Sequence, residues 1–327
     1  MDYNELLRIS KYQKDKHQEQ LLEELNNILS PIEMELIKPF EQPEFPLLFI
    51  VGAPRSGSTL LSQLLASTGY FAYISNFVAR FWMAPYLGSK IETSLGLREI
   101  KNNSYFSSTY GITEGWTEPH EFGYFWKRWF IFNESHKLDP ASANRVNKIE
   151  LQKEISSITA LFQKPLFFKS LLCSLQISLL ADMFEESFFL ICKRKPIYQA
   201  QSLLLSRIEM YGDKNTWFSL RPREYTEIIS LPYHEQVVAQ IYYTLKDIEI
   251  SLASIEASRF IYIDYRSLCN DPHKEIKNIL KLIGIQNSTN YRQQHIPGTF
   301  KHNDYQRLPD EEWTPLQSAC QLYFDQT

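Results

Sequence analysis

The tightest constraint on this chain is the run Gly52-Ala53-Pro54-Arg55-Ser56-Gly57-Ser58-Thr59. It lies between an apolar stretch, Leu47–Val51, and a helical pattern with Leu60, Leu61, Leu64 and Leu65 on one side. The spacing is GxxxxG followed by Ser-Thr, a phosphate-binding loop with one change: Ser58 stands where GxxxxGK(S/T) has lysine. The backbone physics of such a loop survives the change. Successive N–H groups at a helix N-terminus form a concave anion site, and the helix dipole adds to it. Arg55 supplies a planar cationic fork from inside the loop, and Ser56, Ser58 and Thr59 supply hydroxyl donors.

Three further apolar runs, Leu166–Phe168, Phe188–Cys192 and Phe260–Ile263, read with Leu47–Val51 as buried parallel strands, each followed by a helical pattern. The first helix is expected from about Gly57 to Gly69, and the last from Asp271-Pro272 to Gly284. This alternation predicts an α/β fold of the P-loop type, three layers with a central parallel sheet. Ligands of such sheets bind beyond the carboxyl ends of the strands. The expected organisation is an N-terminal helix and lead-in over 1–45 and one domain over 46–327, with helical insertions at about 73–150 and 207–257 that roof the site. Residues 17–29 read as an amphipathic helix packing through Leu21, Leu22, Leu25 and Ile28, and 38–46, with three prolines, as an extended linker.

The missing lysine narrows the chemistry. ATP and GTP enzymes set it, with a metal, against a triphosphate. Here the strand FFLIC ends in Lys193-Arg194-Lys195, so cations stand where a metal-binding acid is expected. That suits a metal-free anion such as a sulfuryl group.

With these residues in hand, FIVGAPRSGSTLLSQLLA resembles the 5′-phosphosulfate loop of sulfotransferases, in the form of the bacterial and tyrosylprotein branches. FFLICKRKPIYQAQSLLLSR resembles the family's 3′-phosphate segment, with Arg194 and Ser202 at its spacing and Lys195 where an Asp is usual. RFIYIDYRSLCNDPHKEIKNILKLIGI resembles a structural block of the family, and LFFKSL its K-S-P or K-D-P strand end, with Leu171 in place of Pro. The resemblance covers roughly 46–70 and 165–285. It implies 3′-phosphoadenosine-5′-phosphosulfate (PAPS) as sulfuryl donor, the desulfated nucleotide PAP as product, and no metal. The donor would be held by Arg55, Ser56, Gly57, Ser58, Thr59, Leu60, Arg194 and Ser202, with Lys169 near the bridging oxygen.

The base is left open. Asn76 stands near the position where the tyrosylprotein branch has a Glu, and an amide is not a base. The segment TEGWTEPHEFGYFWKRWF resembles an E-P-x-E segment of the bacterial branch and offers Glu118, Glu121 and His120, with His302 next. Aromatic surroundings would desolvate these carboxylates and raise their pKa; alternatively, they cap a helix after Pro119. At helical spacing Glu118, Glu121, Phe122 and Phe125 share a face, which suits a flat or cationic acceptor.

The net charge of -4 without a basic stripe argues against nucleic acid. The charged first residues contain no signal-peptide core, and no apolar run approaches the ~20 residues of a membrane helix. Cys173, Cys192, Cys269 and Cys320 form no metal spacing and read as reduced thiols of the cytoplasm. The expected enzyme sulfates a hydroxyl or amine of a small-molecule acceptor, such as a specialised metabolite of natural-product biosynthesis; a homo-oligomer stays open. Two other classes compete. One is a binding module with an inactive loop, and the other a nucleotide kinase, which the missing lysine and the missing acidic strand end oppose.

Overall fold

The computed structural model describes residues 7–99, 106–285 and 296–325. Its strands are β1 (Leu47–Gly52), β2 (Ala72–Tyr73), β3 (Ser108–Thr109), β4 (Ile112–Thr113), β5 (Leu166–Lys169), β6 (Ser187–Lys193) and β7 (Phe260–Asp264). Five form an all-parallel sheet in the order β2-β5-β1-β6-β7, while β3 and β4 pair as a separate antiparallel hairpin. The helices used below are α1 (Lys16–Leu36), α2 (Ser58–Thr68), α3 (Pro85–Ser94), α4 (Gly123–Trp129), α5 (Lys148–Phe162), α6 (Pro196–Tyr211), α7 (Tyr233–Leu252), α8 (Pro272–Leu282) and α9 (Asp310–Phe324).

The sequence of β1 explains its central place. All six of its residues are buried, as expected of a parallel strand covered on both faces. Leu47, Phe49 and Val51 face one core with Phe168, Phe189, Trp126 and Ile155. Leu48 and Ile50 face the other with Leu61, Leu64, Leu190, Ile276 and Ile279. The Phe49 ring stacks on Phe168 at 5.8 Å and on Phe189 at 5.6 Å, tying the three central strands together. The expected α/β three-layer fold is therefore present, and the four expected strands match within a residue at each end. The short edge strand β2 was not foreseen.

The termini of the flanking helices follow their caps. Helix α2 runs between Gly57 and Gly69, both left-handed. Helix α8 starts with Pro272 after Asp271, whose carboxylate accepts the Lys274 N–H.

Helix α1 departs from expectation. It is longer than 17–29, and Leu21 and Ile28 point to solvent at 64% and 67% exposure. Its buried residues are Asn26 and Glu33. The Asn26 amide donates to the Arg80 carbonyl at 2.7 Å and accepts the Met83 N–H at 2.7 Å. The Glu33 carboxylate accepts the N–H groups of Tyr86 at 2.7 Å and Leu87 at 3.0 Å, two orphan donors in the first turn of α3. The helix docks by hydrogen bonds at a helix terminus, which an apolar periodicity does not report.

Burial outweighs those two donors and pushes the Glu33 carboxyl up from 4.5 to about 7. A raised carboxyl pKa favours folding below the unfolded value, and that contribution is lost as pH rises through the folded one. The unfolding free energy of the wild type, minus that of a Glu33→Gln variant, should therefore decline between pH about 4.5 and about 7, by up to about 3 kcal/mol. Urea unfolding across that range measures it, and a flat difference would mean that the two N–H groups fully compensate the burial.

Candidate active site

Beyond the carboxyl ends of β1, β5 and β6 lies a cavity of about 890 Å³. The loop leaving β1 is held from outside through its carbonyls. The Gln199 amide donates to Pro54 O at 3.2 Å, and Arg194 Nη1 to Arg55 O at 3.1 Å. The Ser174 hydroxyl both accepts the Gly52 N–H and donates to its carbonyl, each at 3.1 Å. With the carbonyls engaged behind, Gly57, Ser58, Thr59 and Leu60 present the start of α2 to the cavity. The first N–H groups of a helix have no partner within it, so the arrangement has the geometry to cradle an anion.

Backbone conformation enforces the residue types. Arg55 has φ +68 and Gly57 φ +97. A Cβ on Gly57 would lie 2.6 Å from the Tyr265 ring, so position 57 has neither the dihedral nor the space for a side chain. Gly57→Ala should destabilise the protein by about 1–3 kcal/mol, seen as a lower Tm. A variant with unchanged Tm would show that the Tyr265 ring yields.

Arg55, Arg194 and Ser202 come together. Arg55 Nε donates to Ser202 Oγ at 3.0 Å, and all three line the cavity. Arg194 sits one residue past β6, and Ser202 faces back from the second turn of α6. Burial first, and then the Arg194 charge, push the Arg55 guanidinium down to about 10, still cationic at neutral pH. Of the other two cations at the strand end, Lys193 pairs with Glu249 at 3.1 Å and lies over Tyr262, and Lys195 stands at the N-cap position of α6 without a side-chain capping bond. Ser56 turns away from the cavity: its buried hydroxyl lies 2.8 Å from where a Gly52 Cβ would sit, without a hydrogen-bond partner.

Lys169 ends β5, is 4% exposed, lines the cavity and pairs with Glu121. Glu121 lines it too, and a Cβ on Gly111 would lie 3.7 Å from Glu121 Oε1, Arg55 Nη1 and Thr59 Oγ1 alike. The hairpin tip Tyr110-Gly111, with φ +51 and +92, therefore hangs over the junction of loop and carboxylate.

Glu118 lies behind the wall. It accepts from the Gln63 amide at 3.0 Å, and burial raises its pKa. His120 faces the cavity, and its Nδ1 accepts the Phe122 N–H at 2.8 Å, which assigns the proton of the neutral ring to Nε2. The surrounding protein pushes its imidazolium down to about 4, mainly by desolvation, with Lys169 and Lys14 adding to it against Glu121. His302 holds the Asp304 N–H through Nδ1 at 3.3 Å.

The expected shared face of Glu118, Glu121, Phe122 and Phe125 does not form. Phe122 is left-handed at φ +56, and α4 starts only at Gly123, without a side-chain cap. Phe122 and Phe125 stack on each other at 4.4 Å inside the core. The carboxylates therefore neither cap this helix nor share a face with those rings. Asn76 serves the loop, donating to the Thr113 and Gly115 carbonyls at 3.1 and 2.7 Å.

Parts of the wall went unforeseen. Arg8, Lys11, Tyr12 and Lys14, ahead of α1, line the cavity, with Tyr12 donating to Glu209 at 2.9 Å. Asn303 and Arg307 line it from the C-terminal segment. Only the tip had a local signal, a tight turn between short polar β-formers.

Among the described residues no group of three His, Cys, Asp or Glu could hold a metal, and no helix is long and apolar enough to cross a membrane. Sheet, loop and cradle place the chain among α/β proteins of the P-loop type. Within that class the chain belongs to the Sulfotransferase family, whose family model matches residues 46–289. A solved sulfotransferase from Mycobacterium avium is 16% identical over 91% of this chain and 81% of its own, with a TM-score of 0.52, a likeness of fold. A sulfotransferase from Mycobacterium tuberculosis H37Rv is 14% identical over 89% and 76%, with a TM-score of 0.49. No curated protein matches the chain.

Proposed function

We propose that the protein transfers a sulfuryl group from PAPS to a hydroxyl or amine of a small-molecule acceptor. The observation that carries this reading is the convergence of Arg55, Arg194, Ser202 and Lys169 on one cavity around a helix-start cradle. The cradle and the adjoining pair of Arg194 and Ser202 would serve as two neighbouring anion sites, which would suit a donor with a phosphosulfate and a second phosphate. Arg55, Gly57, Ser58, Thr59 and Leu60 would hold the phosphosulfate, and Arg194 with Ser202 the 3′-phosphate. The cavity volume lies within the ~300–1,000 Å³ usual for small-molecule sites.

In the reaction, a bond forms between the acceptor oxygen or nitrogen and sulfur as the bond from sulfur to the phosphate oxygen breaks. The electron pair stays on that phosphate, beside Lys169 and the loop donors, and the acceptor proton passes to a base. Glu121 fits that base. It lines the cavity, whereas Glu118 is turned to Gln63 and His120 has Nδ1 engaged and Nε2 protonated. His120 then serves as a hydrogen-bond donor.

PAP should stabilise the protein to heat without magnesium, by ~2.7 kcal/mol at one hundred times its dissociation constant. Better protection by ATP with magnesium would overturn the donor assignment. Glu121→Gln should lower kcat by roughly 10²–10⁴-fold with PAP affinity kept, in single-turnover assays with PAPS and a panel of alcohols, phenols and amines. Lys169→Ala should likewise cost turnover more than PAP affinity, because its partner is charge that develops on the leaving oxygen. Normal turnover in both variants would remove the pair from the chemistry.

A further inference from the structure

A carboxylate stands beside the guanidinium that, on the reading above, takes the donor's 3′-phosphate. Asp304 Oδ1 accepts Arg194 Nε at 2.7 Å, and Oδ2 accepts Arg266 Nε at 3.2 Å. The carboxylate is almost wholly buried, with 1% of its side chain exposed. Point charges alone make this arrangement costly for an anion site, since a fixed negative group next to the binding cation repels the ligand.

Geometry gives it a use. A guanidinium has five N–H donors in a rigid fork. Arg194 commits Nε to Asp304, one N–H of Nη1 to Arg55 O at 3.1 Å, and one of Nη2 to Asn303 O at 3.1 Å. Each Nη keeps one N–H, and the plane of the fork is fixed with Arg194 against the cavity wall. The Tyr265 ring lies 4.5 Å from the guanidinium carbon and supports one face.

Asp304 is itself anchored to the element that carries Ser202. Gln201, the preceding residue on α6, donates to Tyr305 O at 2.9 Å. Its Oε1 accepts the N–H groups of Arg307 at 2.6 Å and Leu308 at 3.1 Å. The carboxylate that aims Arg194 and the Ser202 hydroxyl beside the loop arginine thus belong to one frame, although they lie about a hundred residues apart in the chain.

We infer that Asp304 is a positioning residue of the donor site: it holds the Arg194 fork in the orientation that reads the 3′-phosphate. This rests on the donor reading above. The sign of the effect separates the two physical accounts. If charge dominates, removing the carboxylate tightens anion binding; if orientation dominates, removal weakens it, and only for nucleotides that carry a 3′-phosphate.

The test is calorimetric titration of wild type and Asp304→Asn, without magnesium, using PAP and adenosine 5′-phosphate. The expected result is a loss in PAP affinity on the order of tenfold with adenosine 5′-phosphate unchanged, so that the preference for PAP shrinks. Tighter PAP binding, or equal losses for both nucleotides, overturns the inference. If a thermal melt shows that Asp304→Asn does not fold, Asp304→Glu is read by the same ratio, because it keeps the charge and displaces it by one methylene. A wild type that binds the two nucleotides equally overturns the donor reading itself, and this inference with it.

Discussion

The site depends on a half-buried guanidinium that forms no ion pair among the described residues. Among the described residues no carboxylate lies within ion-pair distance of Arg55; its Nε rests on the Ser202 hydroxyl, and burial with the Arg194 charge pushes its pKa down to about 10. A partly desolvated cation with no carboxylate partner is costly in the free protein, and on the proposed reading the donor's anion would offset that cost. The fold can sustain this because the parallel sheet fixes the neighbours. β1 delivers the loop, β5 delivers Lys169 and β6 delivers Arg194, and aromatic stacking across Phe168, Phe49 and Phe189 locks the three strands in register. In a parallel sheet the strand ends lie on one edge, so three cations separated widely in sequence arrive together.

What the sequence discloses follows from how local the cause is. The strands are legible because β1 and its neighbours are buried on both faces and must be apolar throughout. The loop is legible because its dihedrals and the Tyr265 ring demand glycine at 57. The meeting of Arg194 with Ser202 is legible because a strand end and two helical turns separate them. The misreadings share one cause, a polar or backbone event that overrides periodicity. α1 docks through Asn26 and Glu33, so Leu21 and Ile28 are free to face solvent while Leu22 and Leu25 stay half-buried. Phe122 goes left-handed ahead of α4, which shifts the phase of every residue after Pro119 and sends two rings into the core. Asp304 has no local signature, since its partners Arg194 and Arg266 come from other elements.

The ion pair of Lys169 with Glu121 makes the last step of the site's logic. In the resting protein the nearly buried Lys169 ammonium has the Glu121 carboxylate as its ion-pair partner. On the proposed reaction both charges change partners in the same event. As Glu121 takes the acceptor's proton it becomes neutral and its hold on Lys169 weakens, while negative charge grows on the leaving phosphate oxygen. The ammonium then finds its strongest partner in the transition state, which is the condition under which binding energy accelerates a step. His120 sharpens this exchange. It is held neutral with Nδ1 engaged, so it adds no third charge to the junction, and its proton on Nε2 stays with it. An imidazolium there would compete with Lys169 for Glu121 and hold the carboxylate back from the acceptor. On the proposed reaction, keeping that histidine desolvated would leave one base and one cation in contact, with a single proton to move between substrate and protein.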